Sequence, residues 1–156
     1  VGDMSVEFKI KGLDEVKSKL DRLANPKKAK SIARKAARKA MNIVRDAART
    51  NAKSIDDPET VAMIHKNIAV QAGKTQSAND IKMRVGIRGG ASQNQHSIST
   101  AGLSGGDTRH WRYIEFGTKY QPAIPFMRIA FFNNFNAVTT KFAEVFNAEL
   151  DKELAS

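Results

Sequence analysis

Asn25-Pro-Lys-Lys-Ala-Lys30-Ser-Ile-Ala-Arg-Lys35-Ala-Ala-Arg-Lys-Ala40-Met-Asn-Ile-Val-Arg45-Asp-Ala-Ala-Arg-Thr50-Asn-Ala-Lys53 is the stretch that organises the rest of the chain. Asn25 offers a side-chain acceptor at a helix cap, and Pro26 sits at the first helical position, where its missing N–H costs nothing. No glycine or proline follows until well past Lys53, so the segment reads as one long helix. Its apolar face runs through Ala29, Ile32, Ala33, Ala36, Ala40, Ile43, Val44 and Ala47. Alanine dominates that face, so another backbone or a sheet can approach closely. The opposite face carries Lys28, Lys35, Arg38, Arg45 and Arg49, and Asp46 is the only acid of the whole segment.

Towards the N-terminus, Leu13, Val16, Leu20 and Leu23 recur at helical spacing and give a short amphipathic helix ending near Asn25. Before it, residues 5–11 alternate strictly: Val6, Phe8 and Ile10 on one face, Glu7, Lys9 and Lys11 on the other. That is a half-buried strand. Burying its three apolar side chains contributes on the order of 1.5 to 3 kcal/mol each before entropy, enough to fix its register. A secretory leader would need a cationic start and an apolar run here, and none is expected. Val1-Gly2-Asp3, ahead of Met4, reads as a cloning remnant and takes no part in the fold argument.

Towards the C-terminus, Asp57-Pro58 repeats the cap-plus-proline signal, and Val61, Ala62 and Ile64 predict a short helix leading into a strand near Asn67 to Ala72. A polar turn from Gly73 to Asn79 separates it from Asp80 to Arg88, where Ile81, Met83, Val85 and Ile87 alternate with Lys82, Arg84, Gly86 and Arg88. Together these form a hairpin. Residues 89–109 are rich in Gly, Ser, Thr, Gln and Asn, the signature of a mobile loop that orders on a partner. His110 to Gly117 reads as a further strand through Trp111, Tyr113, Ile114 and Phe116. Pro122 and Pro125 bracket the start of a second long helix near Phe126, striped by Phe131, Phe135, Val138, Phe142, Val145, Phe146 and Leu150, with an acidic tail of Glu144, Glu149, Asp151 and Glu153.

The expected fold is therefore α+β: an antiparallel sheet of about four strands packed against two long helices, in a single domain over residues 4–156. A length of 156 residues holds one core. Hydrophobic residues at 41% and charged residues at 27% sit near globular averages, and no apolar run approaches a membrane span.

Motifs that carry chemistry are scarce. With no cysteine, thiolate catalysis and cysteine zinc sites fall away. His65, His96 and His110 are too scattered for metal-ligand spacing. Gly73-Lys74-Thr75 ends like a phosphate-binding loop, but position 68 is Ile68 where that motif needs glycine, and a turn and strand follow instead of a helix. Gly86, Gly89 and Gly90 lack the spacing of a dinucleotide fingerprint. His96, Ser97, Ser99, Ser104, Asp107 and His110 could be imagined as a triad, yet a Gly/Ser-rich loop holds such partners poorly. No enzyme, cofactor, metal or small-molecule substrate is expected.

The net charge of +10 speaks to partners. The basic helix face has three readings: a solvated surface, non-specific contact with nucleic acid phosphates, or a contact in which it meets the acidic tail of a neighbouring copy. Without an aromatic residue or helix-turn-helix spacing it does not look like a sequence reader.

Tyr113-Ile-Glu115-Phe116-Gly117-Thr118, followed by Pro122-Ala-Ile-Pro125-Phe126-Met-Arg128-Ile-Ala130, resembles the Tyr-x-Glu-Phe-Gly-Thr…Pro-Ala-x-Pro-Phe-(Leu/Met)-Arg-x-Ala signature of a tail-component family of lambda-like long-tailed bacteriophages and prophages. Phe8 to Glu15 resembles the family's opening, and Arg45-Asp46-Ala47-Ala48-Arg49 resembles the end of its basic helix. In one place the chain departs: Asp56 to Ala62 lacks the glycine of a Pro-x-x-Thr-Gly-x-Leu stretch. The resemblance implies a non-enzymatic minor tail or tail-completion protein at the head-tail junction. It would assemble in the host cytoplasm and act in the virion as a homo-oligomer, a hexameric ring by hypothesis, beside other tail or neck proteins. A tail terminator is the alternative within that class, and a small basic nucleic-acid-binding protein the alternative outside it.

Overall fold

The computed structural model describes residues 13–60, 62–78, 80–88 and 103–156, with side chains from Lys17 onward. The strand expected over residues 5–11 and residues 89–102 of the expected loop lie outside that set.

Helix α1 spans Leu13–Leu23 and α2 spans Pro26–Lys53. The Asn25 side chain accepts from Lys28 N at 3.2 Å with Pro26 at the start, so the cap works as its sequence suggests. Ile32, Ala36, Ala40, Val44, Ala48 and Ala52 form the buried row of α2, at steps of four. Each such step overshoots a full turn by about 40°, so the row winds about half way round the helix between Ile32 and Ala52. That winding gives α2 two sets of neighbours. Ile32 and Ala36 pack with Val145, Phe146 and Leu150, flanked by Leu20 and Leu23 of α1. Further along, Ala40 to Ala52 pack with Ile64, Ile68, Ile87, Phe126, Ala130 and Val138.

The short helix α3 is Ile64–Asn67, and strand β1 follows at once as Ile68–Ala72. It pairs antiparallel with β2, Met83–Ile87, in the register Ile68 to Ile87, Val70 to Val85 and Ala72 to Met83. The hairpin is as expected. The cap of α3 differs: Asp57 folds a local turn through Glu59 N at 2.9 Å, and it is Asp56 that accepts from Ile64 N at 2.8 Å and His65 N at 3.2 Å. Asp56 also meets His65 Nδ1 at 2.6 Å.

Three expectations are corrected. Among the described residues the sheet has two strands, not about four. His110 to Gly117 contributes no strand, because Trp111–Phe116 is a helix, α4. Its Trp111, Ile114 and Glu115 turn inward while Tyr113 and Phe116 face out, a three-and-four spacing that overrides the β preference of aromatic residues. The second long helix is two helices, α5 at Phe126–Asn133 and α6 at Phe135–Ala155. Asn134 divides them: its Nδ2 donates to Ala130 O at 2.8 Å, taking a carbonyl that a continuous helix would give to the backbone. Mixed helix and strand composition stands, weighted to helix.

At the C-terminal end of the expected loop, residues 105–108 are hydrogen-bonded to the α3–β1 junction. Asn67, buried, donates to Gly106 O at 3.0 Å and to Thr108 Oγ1 at 2.8 Å, and accepts from Gly105 N at 2.9 Å. Met63 N donates to Gly105 O at 2.8 Å, and a Cβ on Gly105 would lie 2.2 Å from Met63 O. One buried amide thus ties residues 105–108 to the α3–β1 junction.

Candidate functional site

The signature residues meet in the α4–α5 corner. Glu115 is 1% exposed although it is a carboxylate. It serves as the cap of a different helix: its Oε2 accepts from Met127 N at 2.9 Å and its Oε1 from Arg128 N at 3.0 Å. These are amides of the first turn of α5, which have no partner inside that helix. The negative charge also suits the positive end of the helix dipole. Arg128 completes the charge pairing through Nε at 3.1 Å. Pro125 and Phe126 place the start of α5 here, with Phe126 buried in the core and Asn51 Nδ2 of α2 donating to its carbonyl at 3.2 Å.

Between the helices the chain makes a tight turn. Gly117 has φ +74°, and a Cβ there would sit 2.7 Å from Ala123 N. Thr118 N donates to Gln121 O at 2.9 Å, and Thr118 Oγ1 accepts from Tyr120 N and Gln121 N, each at 3.2 Å. Ile124 N then donates to Ile114 O at 2.7 Å, docking the residues that follow Pro122 onto α4.

This rigid corner presents an apolar surface. Among the described residues, the large hydrophobic side chains that stand exposed are Tyr113, Phe116, Tyr120, Ile124, Ile129 and Phe132, all within this one segment. Tyr113 and Phe116 share a face of α4, and Ile129 and Phe132 share a face of α5. The Arg128 guanidinium lies 5.1 Å from the Phe116 ring centre and links the two. Four members of this collar, Tyr120, Ile124, Ile129 and Phe132, were not singled out from sequence. Phe132 sits one residue beyond the Phe131 of the core stripe, a step that turns its side chain about 100° round α5 and away from the core. Just before α4, Arg109 holds the Asp107 carboxyl down at about 2 through its side-chain and backbone hydrogen bonds.

The basic residues of α2 have separate fates. Lys28 pairs with Glu153 at 3.3 Å and Lys35 with Glu149 at 2.9 Å, while Lys19 of α1 reaches Asp151 at 2.8 Å. The acidic tail is therefore paired within the chain. Arg45 turns to its neighbour Asp46 at 2.9 Å. Arg49 points inward and donates twice to Ile68 O, at 3.0 and 2.7 Å, fastening β1 to α2. Arg38 is exposed and faces the hairpin turn across a shallow cleft.

Among the described residues, no three His, Asp or Glu side chains gather as a metal site, and no helix is long and apolar enough to cross a membrane. Residues 14–117, about two thirds of the chain, match the family described as "Bacteriophage HK97-gp10, putative tail-component". The chain belongs to the HK97-gp10-like family. That match takes in α1 through α4 and ends at Gly117, so the turn and the α5 half of the corner lie beyond it. Neither the curated proteins nor the solved structures gave a match. Membership of the HK97-gp10-like family makes the chain a structural component of the phage tail, with a place in the virion and with other tail proteins as neighbours.

Proposed function

We propose that this subunit completes the tail or joins it to the head, and that it does so by closing with its own copies into a ring, hexameric by hypothesis. The observation that carries the reading is the collar of exposed aromatic and aliphatic side chains on a rigid corner. Apolar side chains gathered in one segment mark a contact surface more often than chance exposure, and tyrosine and phenylalanine are favoured anchors of such contacts. A ring needs a heterologous contact, in which the collar of one copy meets a different surface of the next. The basic α2 face meeting a neighbour's acidic tail is a weaker basis, since Glu149, Asp151 and Glu153 already have partners in their own chain.

Sedimentation velocity over a wide range of protein concentration tests the proposal. Higher oligomers should form as concentration rises, and replacing Tyr113 and Phe132 by serine should weaken them at least tenfold while leaving the thermal midpoint little changed. A strictly monomeric species at high concentration, with and without tail proteins added, would count against it. Electron microscopy of particles made without the gene separates completion from termination: finished tails that fail to join heads fit completion, whereas overlong tails indicate a terminator.

A further inference from the structure

Lys27, Arg34 and Arg38 fall on one face of α2, at intervals of seven and four, and all are exposed. At about 1.5 Å per residue they span about 16 Å, the length of roughly five base pairs of duplex. Alongside them the hairpin turn leans over α2. Lys30 Nζ donates to Ala78 O, which draws the turn towards the helix. Gly73 N donates to Lys82 O at 2.8 Å, and the absence of a side chain at Gly73 leaves room for the Lys82 stem to cross it, since a Cβ there would meet Lys82 Cγ at 3.0 Å.

The result is a cleft of about 450 Å³ between α2 and the hairpin, into which Arg34, Lys35, Arg38 and Lys82 face. Lys35 is neutralised by Glu149. Arg34, Arg38 and Lys82 have no carboxylate partner among the described residues, and the one acid on the cleft wall is Asp80. Elsewhere on α1 and α2, Lys19, Lys28 and Arg45 are matched to acids and Arg49 to a carbonyl. This cluster is left uncompensated on a fixed scaffold.

We infer that the α2–hairpin cleft binds the phosphate backbone of duplex DNA, with Arg34, Arg38 and Lys82 as the phosphate contacts and Lys27 extending the track. Arginine forks and a lysine point charge suit phosphate oxygens. The cleft offers no aromatic platform for unstacked bases, which favours duplex over single strand. Nothing in it reads base edges, so the contact is blind to sequence. The inference is independent of the ring reading, because it concerns the unassembled chain.

Fluorescence anisotropy with the full chain and a labelled duplex of about 20 base pairs tests it, repeated over a range of salt. Binding should weaken with salt, with a log–log slope of about −3 to −4 for that many phosphate contacts. Arg34→Gln, Arg38→Gln and Lys82→Gln together should flatten the slope by about three. Lys17→Gln, Lys53→Gln and Lys66→Gln together remove the same charge away from the cleft and should leave the slope nearly unchanged. Asp80→Asn should tighten binding a few-fold. Equal losses in the two triple variants, no effect of Asp80→Asn, or no binding at low salt would overturn the inference. Displacement of the duplex by poly-glutamate at matched charge would overturn it in favour of an acidic protein partner.

Discussion

Arg128 donates to Glu115 at three points, from backbone and side chain alike. The carboxylate accepts from Arg128 N and Nε, at 3.0 and 3.1 Å, and the Glu115 carbonyl accepts from Arg128 Nη2 at 2.7 Å. Between them the two side chains do three things: the Glu115 carboxylate caps α5, and the Arg128 guanidinium fixes the exit of α4 and sets the platform on which Phe116 lies.

Removing that carboxylate leaves two helix amides and a guanidinium without their acceptor. Glu115→Ala should cost about 3 kcal/mol, the range for breaking one side of a buried charged pair, and Glu115→Gln about half as much because one acceptor oxygen survives. Urea unfolding followed by circular dichroism measures both, and a loss for Glu115→Ala below about 1 kcal/mol would refute the capping role.

Gly117 carries both a left-handed φ and a backbone neighbour where a Cβ would go. Gly117→Ala should destabilise by about 1–3 kcal/mol. The collar should also lose rigidity, which limited proteolysis near residues 118–121 would register as faster cleavage.

Lys35 lowers the Glu149 carboxyl from its ordinary range by its hydrogen bond, against a smaller opposing effect of burial. Since the folded value lies below the unfolded one, the stabilisation is full above the unfolded carboxylate pKa and is lost as pH falls through the folded value. The urea midpoint of the native chain should thus drop between pH 7 and pH values below the ordinary carboxylate range. In Lys35→Gln the part of that drop due to the Lys35–Glu149 pair should be missing, leaving a shallower pH profile. Identical profiles would show that the pair has no weight.

Asn67→Leu keeps bulk but strips Gly105, Gly106 and Thr108 of their shared partner. About 2 to 4 kcal/mol should be lost, as several buried polar groups go unpaired at once. Amide exchange should speed up at residues 105–108 before it does in α2, and uniform acceleration across the chain would argue against a local tether.

Much of the scaffold was legible in local chemistry. The Asn25-Pro26 cap, the uninterrupted run to Lys53 and the alternation from Ile81 to Ile87 each depend on neighbours within a few residues; the first two formed as read, and the third forms a strand from Met83 onward. What escaped depends on distant partners. Trp111–Phe116 has strand-like composition, yet Glu115 is drawn to amides twelve and thirteen residues away, and that demand fixes a helix. Asn134 within a good apolar stripe gave no reason to expect a break until its amide found Ala130 O. In the candidate site, the conspicuous Tyr113-to-Arg128 residues were visible as a pattern, but their division into buried clamp and exposed collar was not. Charge on α2 was visible too, whereas its pairing with Glu149 and Glu153 required knowing that α6 returns alongside α2.

The interruption at Asn134 separates two adjacent stretches of chain that should differ in which substitutions they tolerate. α6 is constrained by the interior, so its inward positions can change only with compensating neighbours. α5 shows Ile129 and Phe132 to the outside, where substitutions alter which surface it fits at little cost to folding. A virus could retune this corner to a changed neighbour while the remainder of the molecule stays as it is.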